Sequence, residues 1–148
     1  MKVSMSKKAL VAMSGGVDSS VAALLMKKAG YECVGAMMHL WGGADEQDEK
    51  DAAAVAERLG IPFYIFDLQK EFKEKVIDKF ISTYEHGATP NPCLDCNRFL
   101  KFGALYEKAK ELGCDYIATG HYVVCAQDKN TGRYVLKKAV DAGKDQSY

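Results

Sequence analysis

Ala9-Leu10-Val11-Ala12-Met13-Ser14-Gly15-Gly16-Val17-Asp18-Ser19-Ser20-Val21-Ala22-Ala23-Leu24-Leu25-Met26 is an apolar run, a glycine-rich turn and an apolar helical pattern in direct succession. Strand, turn and helix in that order build an anion site. Two adjacent glycines let backbone N–H groups approach a ligand with no Cβ in the way, and they tolerate positive φ. The orphan N–H groups of the helix start and the positive end of its dipole favour a phosphate. The hydroxyls of Ser14, Ser19 and Ser20 would add donors at the same place. A plain helix N-cap after a tight turn needs only one Ser or Asp, and seven residues carrying three hydroxyls, two glycines and an Asp exceed that need. A Walker-type loop requires Lys-Ser/Thr after its last glycine, and a dinucleotide fingerprint requires G-x-G-x-x-G; neither is present.

Along the rest of the chain, apolar runs alternate with amphipathic stretches, which predicts an α/β domain around a doubly wound, mainly parallel sheet. Strands are expected near 8–13, 31–40, 62–67 and 116–119, and helices near 19–29 and 47–59, the last two stopped by Gly30 and Gly60. Leu68, Phe72, Val76, Phe80 and Tyr84 recur every four residues and predict a core-facing helical stripe. The two prolines of Ala88-Thr89-Pro90-Asn91-Pro92 interrupt it, and a further helix is expected to run to about Leu112. The turn Asp128-Lys129-Asn130-Thr131-Gly132 between two short apolar runs predicts a C-terminal β-hairpin.

The 148 residues fit one domain. Lys and Arg (20) balance Asp and Glu (20), so the chain lacks the overall basicity of a nucleic-acid binder, and RNA contact must come from a local patch or from elsewhere. No apolar stretch approaches the roughly 18 residues of a membrane span, and the N-terminus lacks a signal peptide's apolar region. Five cysteines at irregular spacing do not form a secreted disulfide framework. A cytoplasmic location is expected.

The second segment with chemistry is Asn91-Pro92-Cys93-Leu94-Asp95-Cys96-Asn97. Two cysteines three apart near a helix start suit a thiolate, because dipole and backbone donors there lower a thiol pKa. A zinc half-site, a thioredoxin-like redox pair and a structural pair in a turn are all compatible with the spacing. Cys33, Cys114 and Cys125 sit in or beside predicted strands and are expected to be buried structural thiols. His39 and Trp41 border the expected nucleotide site, and His121 ends the fourth strand.

The loop Ser14–Ser20 resembles the SGGxDS pyrophosphate loop of the ATP pyrophosphatase (PP-loop) superfamily. Thr89-Pro90-Asn91-Pro92, Cys96-Asn97 and Lys101-Phe102 are similar to the T-P-N-P-x-x-x-C-N-x-x-x-K-F segment of the tRNA-specific 2-thiouridylases, the MnmA/TrmU family. Ala118-Thr119-Gly120-His121-Tyr122 and Lys144-Asp145-Gln146-Ser147-Tyr148 fit as well, in the family's order and across nearly the whole chain. The resemblance implies a PP-loop (adenine nucleotide α-hydrolase-like) domain over 1–148. ATP would be bound by Ala12, Met13, Ser14, Gly15, Gly16, Val17, Asp18, Ser19, Met38 and Gly120, with Asp18 organising Mg²⁺. Asn91, Pro92 and Cys93 would contact the target base, and Lys144, Asp145 and Gln146 the tRNA. The implied reaction adenylates O2 of the wobble uridine with release of pyrophosphate. A persulfide from a cysteine desulfurase or sulfur-relay protein then supplies sulfur, with Cys96 as nucleophile.

Two departures follow. Many members carry Asp where this chain has Cys93, which creates a C-x-x-C and makes Cys93 and Cys96 candidate ligands of an iron–sulfur cluster. The family's second catalytic cysteine lies beyond the K-D-Q-S-Y segment, so the resemblance implies an N-terminal fragment that does not thiolate tRNA alone. The rival expectations are another PP-loop enzyme, of amidotransferase or tRNA-lysidine synthetase type, and an ATP-binding module without chemistry.

Overall fold

The computed structural model describes residues 7–42 and 46–148. Four strands, β1 (Lys8–Ala12), β2 (Glu32–His39), β3 (Phe63–Asp67) and β4 (Tyr116–Ala118), form one sheet in the order β3-β2-β1-β4. Every pairing in it is parallel, with Leu10 opposite Val34 on one side and Ile117 on the other. Parallel strands need crossovers, and helices supply them: α1 (Val17–Lys28), α2 (Glu46–Leu59), α3 over 69–85 and α4 over 92–111. A separate antiparallel hairpin pairs β5 (Val124–Gln127) with β6 (Tyr134–Lys137), as the turn chemistry predicts.

Side chains of a strand alternate between faces, and both faces of this sheet are covered. Val11, Met13, Cys33 and Met37 pack on one face with Ala23 of α1 and with Ala52 and Ala56 of α2. Leu10, Val34 and Ala36 pack on the other against Leu105 and Ala109 of α4. Ala9, Leu10 and Val11 are fully buried, which explains why β1 reads as an unbroken apolar run rather than an alternating one. The sheet is therefore doubly wound. The chain steps from β1 out to β3 and then returns to place β4 on β1's free side, so the topology reverses between β1 and β4. Ligands of such sheets bind at the carboxyl ends of the strands flanking that reversal.

α3 and α4 pack on each other through Leu68, Val76 and Leu100. Both helices are locally wide: Asp78 N–H bonds Lys73 O and Leu105 N–H bonds Leu100 O, each five residues back. The stripe expected on α3 is only partly buried. Leu68 and Val76 are in the core, but Ile81 and Tyr84 are about half exposed. A four-residue repeat on an α-helix advances about 40° per step, so residues spread over 68–84 cannot all face one core. Cys33 and Cys114 are buried as expected, whereas Cys125 is exposed, because the β5–β6 hairpin stands clear of the main sheet.

Candidate nucleotide and nucleophile site

The turn after β1 is held from both sides. Met13 N–H donates to Ala36 O (2.7 Å), fixing where the strand stops. Gly15 has φ +79°, and a Cβ there would lie 2.6 Å from Asp48 O, so the turn needs glycine for conformation and for space. α1 starts two residues earlier than the apolar pattern suggests, at Val17, with Gly16 as its N-cap and no side-chain cap. The first helical bond to the cap is Ser20 N–H to Gly16 O (3.3 Å), so the N–H groups of Val17, Asp18 and Ser19 precede it and have no intrahelical acceptor.

The three hydroxyls do not all face a ligand. Ser19 and Ser20 donate to Gly16 O (3.0 and 2.9 Å), and Ser19 Oγ also accepts from Ser14 N–H (3.1 Å). Each hydroxyl has one proton, so Ser19 and Ser20 brace the turn. Ser14 Oγ lies 3.3 Å from Ser19 Oγ, whose proton is already committed, so Ser14 donates there and the backbone N–H groups are what remains for an anion.

Gly120 follows β4 directly opposite. A Cβ at that position would sit 3.0 Å from Asp18 C and Ser19 N, so glycine lets the end of β4 rest on the first turn of α1. Between them lies a cavity of about 230 Å³, lined by Ala12, Met13, Ser14, Asp18, Ser19, Met38, Gly120 and Gln146 from the expected set, together with Lys101, Thr119 and His121. Gly15 and Val17 instead face a groove between α1 and α2. His121 also borders two adjoining cavities, one toward Tyr122 and α1, the other toward Asn97 and Tyr148.

Asp18 is anchored from an unexpected quarter. Tyr122 Oη donates to Asp18 Oδ1 (2.6 Å), and the same tyrosine carries Lys144 Nζ over its ring (4.9 Å). Gln146 clasps Tyr122 twice, accepting from its N–H at Oε1 (3.1 Å) and donating its own N–H to the Tyr122 carbonyl (3.0 Å). Asp145 Oδ1 accepts from Ala139 N–H (2.7 Å) and Oδ2 from Ser147 (2.9 Å). The second oxygen of Asp18 has none of these commitments, which fits a hard cation shared with phosphate. Tyr122 was legible only as the last letter of the Ala118–Tyr122 motif.

α4 supplies the other wall. Asn91 caps it, accepting Leu94 N–H (3.4 Å), and Pro92 occupies the first turn, where a missing N–H costs nothing. Cys93 is exposed; Cys96 is half-buried against the Leu68–Val76–Leu100 cluster and does not line the 230 Å³ cavity. Burial raises the Cys96 thiol pKa, opposed by the Lys101 charge, so the thiolate expected from a helix start is not favoured in this state. The reason is position: Cys96 is the fifth helical residue, and the dipole's influence fades within the first turn. The residue after it borders the adjoining cavity and touches the first one through His121. Asn97, buried, meets His121 Nε2 through Oδ1 (3.2 Å), and Thr119 Oγ1 meets His121 Nδ1 (2.7 Å). Burial and the Lys101 charge lower the His121 pKa, so the ring is held neutral. Asn91, Pro92, Cys93, Lys144 and Asp145 lie outside the cavity lining.

Among the described residues no three His, Cys, Asp or Glu side chains gather as a metal site. Cys93 and Cys96 thus offer two thiols where a cluster needs three or four ligands. His39 is taken up by Glu49 (Nδ1 to Oε1, 3.0 Å), and Trp41 lies exposed against the edge of Phe72.

The family described as "tRNA methyl transferase HUP domain" matches residues 7–148. The tRNA-specific 2-thiouridylase MnmA of Clostridioides difficile is 50% identical over 154 residues, covering 97% of this chain and 43% of that protein. The chain belongs to the tRNA-specific 2-thiouridylase family. The Chloroflexus aurantiacus relative of the same name is 54% identical over 150 residues, covering 94% of this chain and 41% of its own. The chain thus spans less than half the length of these curated relatives. Among solved structures, a predicted subunit of a tRNA methyltransferase from Methanocaldococcus jannaschii matches at TM-score 0.56 and 23% identity, over 86% of this chain and 57% of that one. A glutamine-dependent NAD+ synthetase from Acinetobacter baumannii matches at TM-score 0.55 and 22% identity, over 78% and 22%. These two likenesses bear on the fold alone, a parallel α/β sheet with helices on both faces. No helix among the described residues is long and apolar enough to cross a membrane.

Proposed function

We propose that residues 1–148 are the ATP-binding domain of a tRNA-uridine 2-sulfurtransferase, and that the full protein thiolates C2 of a wobble uridine in the cytoplasm. The observation that carries this reading is one cavity with an uncapped helix N-terminus on one wall and, on the other, the helix that bears Cys96. The N–H groups of Val17, Asp18 and Ser19 bind the phosphates that leave as pyrophosphate. Asp18, oriented by Tyr122, holds Mg²⁺, which neutralises phosphate charge when bound. Met38 and Gly120, at the ends of β2 and β4, flank the nucleoside.

Uridine O2 displaces pyrophosphate from the α-phosphorus; the α–β bridging bond breaks and its electron pair leaves with pyrophosphate. Cys96, once deprotonated, attacks the inner sulfur of a donor persulfide, forming a disulfide and expelling hydrosulfide. That sulfide adds at C2, and AMP departs with the former O2. Asn91, Pro92 and Cys93 receive the unstacked base, whose edges are open to hydrogen bonding, and the 144–146 segment meets the tRNA backbone. The persulfide donor is a cysteine desulfurase or a relay protein.

The test is pyrophosphate release by the full-length protein with MgATP, with and without tRNA bearing a wobble uridine, followed by mass analysis of the nucleosides. The expected result is tRNA-dependent pyrophosphate and, with a persulfide source, 2-thiouridine. ATP binding with neither product would leave an ATP-binding module without this chemistry.

A further inference from the structure

Lys101 stands on α4 one turn beyond Asn97, half-buried, with its side chain facing the cavity between β1 and β4. Its Nζ lies 3.5 Å from His121 Nε2, the nitrogen that Asn97 Oδ1 approaches at 3.2 Å. Nε2 cannot serve both. With the imidazole neutral and Nε2–H donated to Asn97, Nδ1 accepts the Thr119 hydroxyl, and the ammonium protons of Lys101 have no acceptor on that ring. Among the described residues no carboxylate lies within 4.0 Å of Lys101 Nζ.

The cavity therefore confronts a cation with the positive end of α1. The one carboxylate in its lining, Asp18, has an oxygen occupied by Tyr122. A half-buried charge without a counter-ion is unfavourable unless something anionic completes it. Like charges on facing walls mean that the missing partner bears more than one negative charge, as a polyphosphate does.

Resting on the function proposed above, we propose that Lys101 is a catalytic cation of the adenylation step, holding the non-bridging oxygens of the α-phosphate while uridine O2 bonds to phosphorus and the α–β bridging bond breaks. Lys101 gives up no proton. It offsets negative charge that grows between the phosphate loop, which holds the departing pyrophosphate, and the His121–Asn97 wall, where the nucleoside enters. A preorganised donor aimed at developing charge acts mainly on rate rather than on ground-state binding.

The experiment uses the full-length protein with MgATP and wobble-uridine tRNA, and follows single-turnover pyrophosphate formation for the unaltered protein, Lys101→Met and Lys101→Arg. Affinity for a non-hydrolysable ATP analogue and melting temperature are measured on each. Lys101→Met is expected to slow pyrophosphate formation about 100-fold, with analogue affinity within about threefold. Lys101→Arg should recover at least about tenfold of that, because charge is retained. Pyrophosphate formation by Lys101→Met within about threefold of the unaltered rate, or a loss that merely follows a loss of analogue affinity, overturns the role of Lys101 alone. Absence of tRNA-dependent pyrophosphate from the unaltered protein overturns the thiouridylase reading, and this role with it.

Discussion

The start of α1 and the body of α4 line the same cavity, and the two helices begin in opposite ways. α1 begins at a glycine that offers its first turn no side-chain acceptor, so its orphan donors stay open. α4 begins at Asn91 and Pro92, which satisfy one donor and dispense with another. Helix ends carry the same partial charge wherever they occur, so the cap residue decides whether that charge meets a ligand. On α4 the side chains proposed to carry chemistry, Cys96 and Lys101, accordingly lie further down the helix, where their state depends on what packs nearby.

That contrast can be broken at several points. The largest effect is expected where the second region loses its support. Leu100 is fully buried between α3 and α4, so Leu100→Ala should cost about 2–5 kcal/mol in chemical denaturation. The surviving folded protein should expose Cys96 to alkylation while keeping an intact α1 turn.

Closing the open helix comes next. Gly16 has φ −79°, and a Cβ there would meet only Ser14 Oγ at 3.5 Å, so a side chain is tolerated. Gly16→Asp should cap α1 and repel phosphate, lowering ATP affinity about 10- to 100-fold by calorimetry with little change in melting temperature. An unchanged affinity would mean that the first turn of α1 is not the phosphate site.

Opening the closed helix is the reciprocal change. Asn91→Ala should destabilise the fold by about 1 kcal/mol or less in urea, given the long 3.4 Å bond it removes, and leave ATP affinity untouched.

The smallest effect concerns the wall between the two regions. His121 titrates below its ordinary value because of burial and the Lys101 charge, so the native protein holds that proton less tightly than the unfolded chain does. The resulting stability is complete above about pH 6.5 and declines as pH falls below it. His121→Gln should flatten the decline in urea midpoint between about pH 7.5 and 5.5. A slope unchanged by the substitution would show that His121 is not held neutral by its surroundings.

These two regions also differ in how far they could be read in advance. The strand–turn–helix at Ala9–Met26 is local: glycine conformation, donors and apolar pattern act over a few neighbouring residues, so sequence alone determined the glycine turn and the helix that starts there and, through alternation of apolar segments, the parallel doubly wound sheet. The hairpin followed from turn chemistry in the same way. The T-P-N-P segment fixed the start of α4 but not the state of its cysteine, because a thiol's protonation depends on burial against Leu68, Val76 and Leu100, residues distant in the chain. Nor could spacing reveal that Tyr122 grips Asp18 across 104 positions, or that Lys101 and His121 line the same cavity as Ser14 and Ser19. Short-range conformational preference is written residue by residue. The field, solvation and partners of a side chain are set by whatever the fold brings alongside it.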